Sequence, residues 1–515
     1  MADPATSQDA TQNSNQSDKT SSISDIQKRI SNELVIGLCG AIGSGIKPLK
    51  DQLRKELENN KYIVIDVRLS ELISANYKQF ITDSATVESI APLEGSQRIK
   101  DLQNKGNSFR EQHRNEVLAE LAIKEISSRR NTKILQNPDE HSESDTEENK
   151  TLTKVAYLVD QLKHPDEVKL FKTVYPKNFY LISLIRTEKE RRLNLEEDGY
   201  STSDIDEIIR NDRKQNEKYG QQVEKTVHLA DYFIRNMHSH AENLNAEIRR
   251  FLKLVHGVQG LSPRREERGM YAAYSASLQS ACLSRQVGAA IADEDGIIFS
   301  TGRNDVPEFG GGLYSFESGT ADYRCVHKGK KCYNDFYKES LRKEIQQVLE
   351  QQKVKDASNI SKAILADTKA GALIEYSRAI HAEMDAITTL ARKDNSSTKG
   401  KILYCTTYPC HNCARHIVAA GIQKVVYIEP YEKSLALKLH NDSITDSDEK
   451  NKVVFEPYEG VSPQRYMAFF TMIRPRKGRD GKAIDSYIEE TQHVDPQYLD
   501  NYHAYEDKII KNLEF

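Results

Sequence analysis

The amino-acid sequence predicts an α/β protein built as two successive units. Three features carry this expectation. Short apolar runs alternate with stretches of helical spacing from Leu34 to Ile185, the alternation begins again at Gly269, and a stretch rich in Gly, Pro and charge, Gly257 to Arg268, separates the two. The length agrees: 515 residues exceed one ordinary core, and roughly 150 residues per domain gives two to four.

Residues 1–30 are expected to form a disordered tail, because Ser, Gln, Asn, Asp and Thr leave little to bury. The first unit is expected over 31–256. Leu34–Cys39 reads as a buried strand that ends in a Gly cluster, and Pro48–Leu57 then has helical spacing. Tyr62–Val67, Lys154–Asp160 and Asn178–Ile185 read as further buried strands. Strands separated by helices give a parallel sheet. Gln136–Lys150 is acidic, polar and aperiodic, hence an exposed loop. The second unit is expected over 262–480. Gly269–Leu278 is helical, and Val287–Asp293 with Gly296–Gly302 makes a hairpin with Asp-Gly chemistry at its turn. His381–Leu390 reads as a helix, Lys401–Thr406 as a strand, Cys410–Ala420 as a helix and Lys424–Ile428 as a strand. Residues 310–375, polar and helix-rich, read as an insertion, and 481–515 as a C-terminal extension.

Charge and composition narrow the function. Lys plus Arg is 73 and Asp plus Glu is 77, a net charge of −4 that excludes a broadly basic nucleic-acid coat. The mean hydropathy is −0.67, and no apolar run nears the ~20 residues a membrane helix needs, so no membrane partner is expected. The N-terminus lacks the apolar core of a secretory signal. Seven Cys in so long a chain make no disulfide scaffold, and a Cys-x-x-Cys pair among them fits a reducing, cytoplasmic setting and a metal site.

The sharpest motif pair is His381-Ala382-Glu383 followed by Pro409-Cys410-His411-Asn412-Cys413. Two thiolates from one helix start and an imidazole from another make three ligands, which leaves zinc an open position for water. Glu383 lies two residues past the histidine, beside the metal and not needed as a ligand, so it is the candidate general acid/base. A structural zinc would want a fourth Cys or His. His411 lies inside the Cys-x-x-Cys loop, and His416 is one helical turn beyond Cys413.

Over about Gly269 to Tyr431 the chain resembles the deoxycytidylate deaminases, a branch of the cytidine-deaminase-like fold. The resemblance rests on Ser284–Ile291 (SRQVGAAI), Gly302-Arg303-Asn304, Ser377–Ile387 (SRAIHAEMDAI) and Tyr404–Ala414 (YCTTYPCHNCA). It implies an α/β/α unit with Zn2+ on His381, Cys410 and Cys413. It also implies that Glu383 shuttles the proton for hydrolytic attack at C4 of a cytosine. By the same resemblance Asn304 contacts the sugar, Ala289 and Ala382 line the base pocket, and Ser284 and Arg285 face the phosphate. Plain readings stand beside these: Gly-Arg-Asn-Asp is also turn chemistry, and an exposed Arg is often merely solvated. Cys325, His327 and Cys332 in the insertion form a second candidate zinc set, because some family members carry an extra structural zinc. A reduced cysteine pair is the simpler account.

In the first unit, Gly40-Ala41-Ile42-Gly43-Ser44-Gly45 follows a strand and opens a helix, a setting in which backbone N–H groups cradle phosphates. The phosphate-loop pattern continues with Lys and then Ser or Thr, whereas Ile46-Lys47 follow here. One helical position turns a side chain by ~100°, and the Mg2+-binding hydroxyl is missing. Gly40, Gly43, Ser44, Gly45 and Lys47 are therefore candidates to bind a nucleoside triphosphate, with binding favoured over hydrolysis. Asp160, closing a strand, is a candidate second acid of such a site. Arg186, Arg191 and Arg192 resemble the Arg-bearing lid helix of nucleotide monophosphate kinases. Gly220–Val223 with Ala230–Asn236 resembles the tail of dephospho-CoA-kinase-like folds. Together they suggest a P-loop nucleotide-kinase-like parallel sheet.

A P-loop kinase-like unit ahead of a zinc deaminase resembles, over roughly residues 33–475, the bacterial two-domain anti-phage dCTP/dCMP deaminases. The resemblance implies deamination of dCTP and/or dCMP to dUTP or dUMP plus ammonia, depleting cytosine deoxynucleotides during phage infection. It implies that the first unit gates the second in a homo-oligomer, with a regulatory RNA or an allosteric nucleotide as partner. Two other readings stay open. A polynucleotide or tRNA deaminase would need a basic or aromatic strand-binding surface, which a chain without Trp and with a mildly acidic balance does not advertise. A nucleotide sensor with kinase or NTPase output is the other.

Overall fold

The computed structural model describes residues 30–80, 94–136, 154–213, 219–236, 243–431, 434–447 and 449–501, with isolated positions 26, 503, 506 and 509. The tail expected over 1–30, all but its last residue and position 26, and the loop expected after Gln136 lie outside the described residues.

The first sheet is built from β1 (Glu33–Gly40), β2 (Ile63–Arg68), β3 (Val155–Asp160), β4 (Phe179–Ile185) and β5 (Tyr232–Arg235). They run parallel in the order β5-β4-β1-β3-β2. β1 and β4 are buried along nearly their whole length, the pattern of a parallel sheet covered on both faces. The chain leaves β1 toward β2 on one side and later places β4 on the other. The glycine loop at the end of β1 therefore opens at a topological switch point, where α/β sheets place ligands. The helix Ile46–Asn59 follows the loop and buries Ile46, Leu49, Leu53 and Leu57 on one stripe. Each buried Leu contributes ~1.5–3 kcal/mol.

The second sheet contains β6 (Gly288–Ala292), β7 (Ile298–Arg303), β8 (Ile402–Thr407), β9 (Lys424–Glu429), β10 (Ile444–Thr445) and β11 (Val453–Pro457), in the order β10-β11-β9-β8-β6-β7. β6 and β7 form the expected antiparallel hairpin, and β8 and β9 are parallel. The insertion holds the helices Tyr333–Gln351 and Ala357–Asp367.

The boundary expected at Gly257 to Arg268 differs from the structure in one respect. The helix Arg265–Ser277 begins inside it, and Glu267 is buried there. That carboxylate takes two 2.7 Å bonds from Arg250 and accepts the backbone N–H groups of Arg264 and Val461. Arg264 in turn pairs with Glu247, which also accepts from the Tyr232 hydroxyl. A charge run that looks like a linker is thus a buried ion network between the two sheets. Beside it, the short strand β12 (Gly460–Val461) pairs antiparallel with β5, so a segment from the second unit completes the first sheet.

The stretch expected as a C-terminal extension also packs back. Ile488 and Val494 enter the apolar cluster around Leu34 and Leu158. The Tyr62 hydroxyl bonds Nε2 of His256 and of His493, both at 3.0 Å. The Lys154 ammonium donates to the carbonyls of Ile488, Glu489 and Thr491.

Two expectations follow. Glu267→Ala strands Arg250 and two backbone donors, so chemical denaturation should show a loss of ~3–5 kcal/mol, as for other broken buried pairs. A loss below ~1 kcal/mol would mean the network is dispensable. The second concerns acid. Burial, with Lys154 and Arg474 facing both rings, pushes His256 down and His493 down to about 3. Both rings are neutral when folded, whereas in the unfolded chain they take protons near pH ~6.5. Their contribution is therefore intact above pH ~6.5 and lost as pH falls, by ~1.4 kcal/mol per pH unit for each ring. His493→Gln should shallow the fall in stability between pH 6.5 and 5 by that amount. An unchanged slope in a pH series of denaturation curves would contradict the assignment.

Candidate metal centre

His381 and Cys410 each occupy the position just before a helix. His381 has φ −79 and ψ 153 ahead of Ala382–Ala391, and Cys410 has φ −68 and ψ 163 ahead of His411–Ala419. Extended backbone at such a position turns the side chain back over the helix start, where unpaired N–H groups favour anions. The Cys410 sulfur accepts the Cys413 N–H at 3.4 Å. Close packing sets the spacing of the first helix. A Cβ on Gly302 of β7 would lie 2.3 Å from Ala382 O and from Ala386 N, so only glycine admits this approach. Asp385 completes the contact by accepting the Arg303 N–H at 3.0 Å.

The result is convergence. His381 Nδ1 lies 3.4 Å from both the Cys410 and Cys413 sulfurs, and the three donor atoms lie within 4.8 Å of one another. Zinc bonds of ~2.3 Å to sulfur and ~2.0–2.1 Å to nitrogen, at a tetrahedral angle, place N and S ~3.6 Å apart. The donor set and its spacing therefore fit zinc. Among the described residues no other group of three His, Cys, Asp or Glu side chains meets that distance. Glu383 is buried beside the centre, and burial pushes its carboxyl up. The Cys410 thiol is held well below its ordinary value, chiefly by its hydrogen bond with Cys413 and then by His381.

The other expected residues fare differently. Ala289 and Ala382 are fully buried in the same cluster as Cys405, Cys410 and Cys413. Asn304 is buried, and both ends of its amide are taken by backbone: Oδ1 accepts Val287 N–H at 2.7 Å, and Nδ2 donates to Arg285 O at 2.8 Å. Ser284 is exposed. Arg285 donates to the Thr407 hydroxyl at 2.7 Å and the Glu429 carboxylate at 2.6 Å, so it is fixed at the ends of β8 and β9. Glu429 was not singled out from the sequence, where it reads as an ordinary charge closing a strand. The donors of the second candidate zinc set, Cys325, His327 and Cys332, do not meet within the 4.8 Å that His381, Cys410 and Cys413 do. The His327 ring turns to Asp322 at 3.2 Å, and Cys325 lies 3.9 Å from Arg378. Gly40, Gly43, Ser44, Gly45 and Lys47 line a separate cavity of about 770 Å³ in the first unit. Arg186 and Arg191 donate to the loop carbonyls of Gly43 and Ile42, whereas Arg192 pairs outward with Glu188 and Asp206.

Known proteins match this part of the chain. Residues 263–429 fit the family described as the cytidine and deoxycytidylate deaminase zinc-binding region. The deoxycytidylate deaminase of enterobacteria phage T4 is 33% identical over 164 residues, 32% of this chain and 76% of that protein. Its phage T2 counterpart is 34% identical over 164 residues, 32% of this chain and 78% of that protein. The solved dCMP deaminase of cyanophage S-TIM5, in complex with dCMP and dUMP, is 21% identical over 39% of this chain and 100% of its own, with a TM-score of 0.23, too loose a likeness to position any residue. The chain belongs to the deoxycytidylate deaminase family, and it is a hydrolase of the cytidine-deaminase-like class. No helix among the described residues is long and apolar enough to cross a membrane.

The Asn304 geometry separates two roles by experiment. Asn304→Ala leaves Val287 N–H and Arg285 C=O without partners, so denaturation should show a loss of ~1–3 kcal/mol. Unchanged stability with weakened substrate binding would instead make Asn304 a ligand contact alone.

Proposed function

We propose that this protein removes the amino group from deoxycytidine nucleotides, dCMP and/or dCTP, by zinc-dependent hydrolysis. The convergence of His381, Cys410 and Cys413 beside the buried Glu383 carries the reading. In it the three side chains hold the metal. Zinc, when bound, supplies a Lewis acid that lets water ionise near neutral pH. Glu383 takes one proton of the attacking water and delivers it to ring N3 of the base as the C4–O bond forms, then passes the remaining hydroxyl proton to the amino nitrogen as the C4–N bond breaks, so that ammonia leaves and C4 keeps a carbonyl oxygen. Burial raises the proton affinity of this carboxyl and suits it to both halves of the transfer. Ala289 and Ala382, lacking bulk, let a flat pyrimidine approach the metal. Asn304 holds the segment 285–287 in place, and Arg285 with Ser284 lies on the phosphate side of the pocket.

The two units serve as domains, 31–256 and 262–480, in a homo-oligomer. The first, a P-loop-like domain, binds a nucleoside triphosphate at Gly40–Gly45 and Lys47 and regulates the second. The biological outcome is depletion of cytosine deoxynucleotides during phage infection, with a regulatory RNA or nucleotide as the switch. Support comes from the parallel order of β1–β5 and from the loop at the end of β1.

The test is one incubation with dCMP, dCTP, CTP and a cytosine oligonucleotide, read by mass change, for the wild type and two variants. Glu383→Ala should keep its zinc and lose turnover by ~10²–10⁴-fold. Cys413→Ala should lose zinc, read by elemental analysis. Deamination at the wild-type rate by Glu383→Ala, or turnover of the oligonucleotide alone, would refute the reading.

A further inference from the structure

We propose that the cavity at the glycine loop binds nucleotide phosphates without a divalent cation, Lys50 holding the carboxylate that a metal would need, and that it binds without transferring phosphate. The proposal rests on the reading above that this loop takes a nucleoside triphosphate, and it concerns how.

One end of the cavity is built for an anion. The 14-residue helix Ile46–Asn59 starts there, directly after Gly45 at φ 92, so its first N–H groups and its positive dipole end meet the loop. Ser44 is only 1% exposed, lines the cavity, and its hydroxyl has no hydrogen-bond partner. The Arg186 Nε is likewise buried without a partner. Lys47 and Arg98 line the same space. Unpaired donors held out of water carry a cost that a bound anion would remove. The lining also includes the apolar Ile73, Ile99, Leu102 and Leu118 and the ring-bearing Tyr200. A volume of about 770 Å³ lies in the range of small-molecule sites. A polyphosphate head joined to a flat, less polar base matches this mixed lining.

A divalent cation does not fit. A phosphate loop that uses Mg2+ places a Ser or Thr hydroxyl after its lysine and a free carboxylate at the end of a neighbouring strand, with the metal between them. Here Lys47 occupies the hydroxyl's position. The carboxylate is present as Asp160 at the end of β3, but its Oδ2 is 2.7 Å from the Lys50 ammonium, and both side chains are largely buried. Lys50 is three residues beyond Lys47 on the same helix and lies in its buried stripe. Mg2+ prefers carboxylates, water and phosphate in near-octahedral order. At this place it would meet an ammonium already bound to Asp160 Oδ2, with only the buried, unpartnered Oδ1 left to it. Lys50 neutralises Asp160, and the phosphates are left to the loop N–H groups, Ser44, Lys47 and the arginines. Without the cation that bridges the β- and γ-phosphates in transfer enzymes, binding has no chemical step to follow.

Calorimetric titration of the full-length protein with ATP and with inorganic tripolyphosphate tests this, in magnesium chloride and in magnesium-free buffer passed over chelating resin. ATP avoids the cytosine pocket, and tripolyphosphate removes any dependence on the base. The proposal expects dissociation constants that agree within about twofold between the buffers, with Lys47→Ala weakening both. Lys50→Met frees Asp160 and should make binding tighter in magnesium by about tenfold or more. Should that variant not fold, Asp160→Asn keeps Lys50, and its binding should remain equal in the two buffers. Wild-type binding that weakens about tenfold without magnesium would overturn the proposal and leave the phosphate-site reading standing. Binding of neither probe in either buffer would overturn both. ATP turnover lost in Lys47→Ala would also overturn the proposal.

Discussion

One imidazole nitrogen and two sulfurs held around a single point constrain most of the second unit. Each donor sits at the start of a helix, so the positions of those helices fix the centre. The His411–Ala419 helix is the crossover between parallel β8 and β9, which anchors Cys410 and Cys413 to the middle of the sheet. The Ala382–Ala391 helix is pressed on β7 at Gly302 and tied there through Asp385. Two helix N-termini aimed at one spot concentrate positive potential where thiolates and a buried carboxylate must coexist. Lengthening either contact by an ångström would separate the donors beyond the reach of one ion.

The second constraint joins the units. Glu267 and β12 make the two sheets share buried structure, so the first unit is not a separate body on a tether. β5 lies at the junction. Beyond its end, Asn236 donates to the Ser44 carbonyl of the glycine loop at 2.8 Å, while Arg235 pairs with Glu456 of β11 at 2.9 Å. β11 lies beside β9, whose last residue, Glu429, fixes Arg285. The loop and the metal centre are thus connected through hydrogen-bonded backbone and ion pairs.

Much of this was legible in the sequence because periodicity reports burial. The runs at Leu34, Tyr62, Lys154 and Asn178 became β1 to β4 within a residue or two, and so did the hairpin and β8 and β9. The His-Ala-Glu and Cys-x-x-Cys motifs were readable because their spacing is local to helix starts. What stayed hidden depends on contacts far apart in sequence. Glu267 in Arg-Arg-Glu-Glu-Arg looks solvated until Arg250 and Val461 meet it. β12 is two residues long and has no pattern of its own. The C-terminal stretch shows scattered apolar residues, and its partners lie more than 200 residues earlier: Val494 N–H donates to the Val255 carbonyl, and Lys154 reaches the carbonyls at 488 and 489. Lys50 did leave a signal: a lysine on the apolar stripe of Ile46, Leu49, Leu53 and Leu57 must find a buried anion, and Asp160 is that anion.

X-ray absorption at the zinc edge of the purified, full-length protein tests the central geometry most directly. The account predicts two sulfur neighbours at ~2.3 Å, one imidazole nitrogen at ~2.0–2.1 Å and one light oxygen neighbour at ~2.0–2.2 Å. A shell of four sulfur and imidazole ligands, or protein free of zinc after purification without chelators, would contradict it.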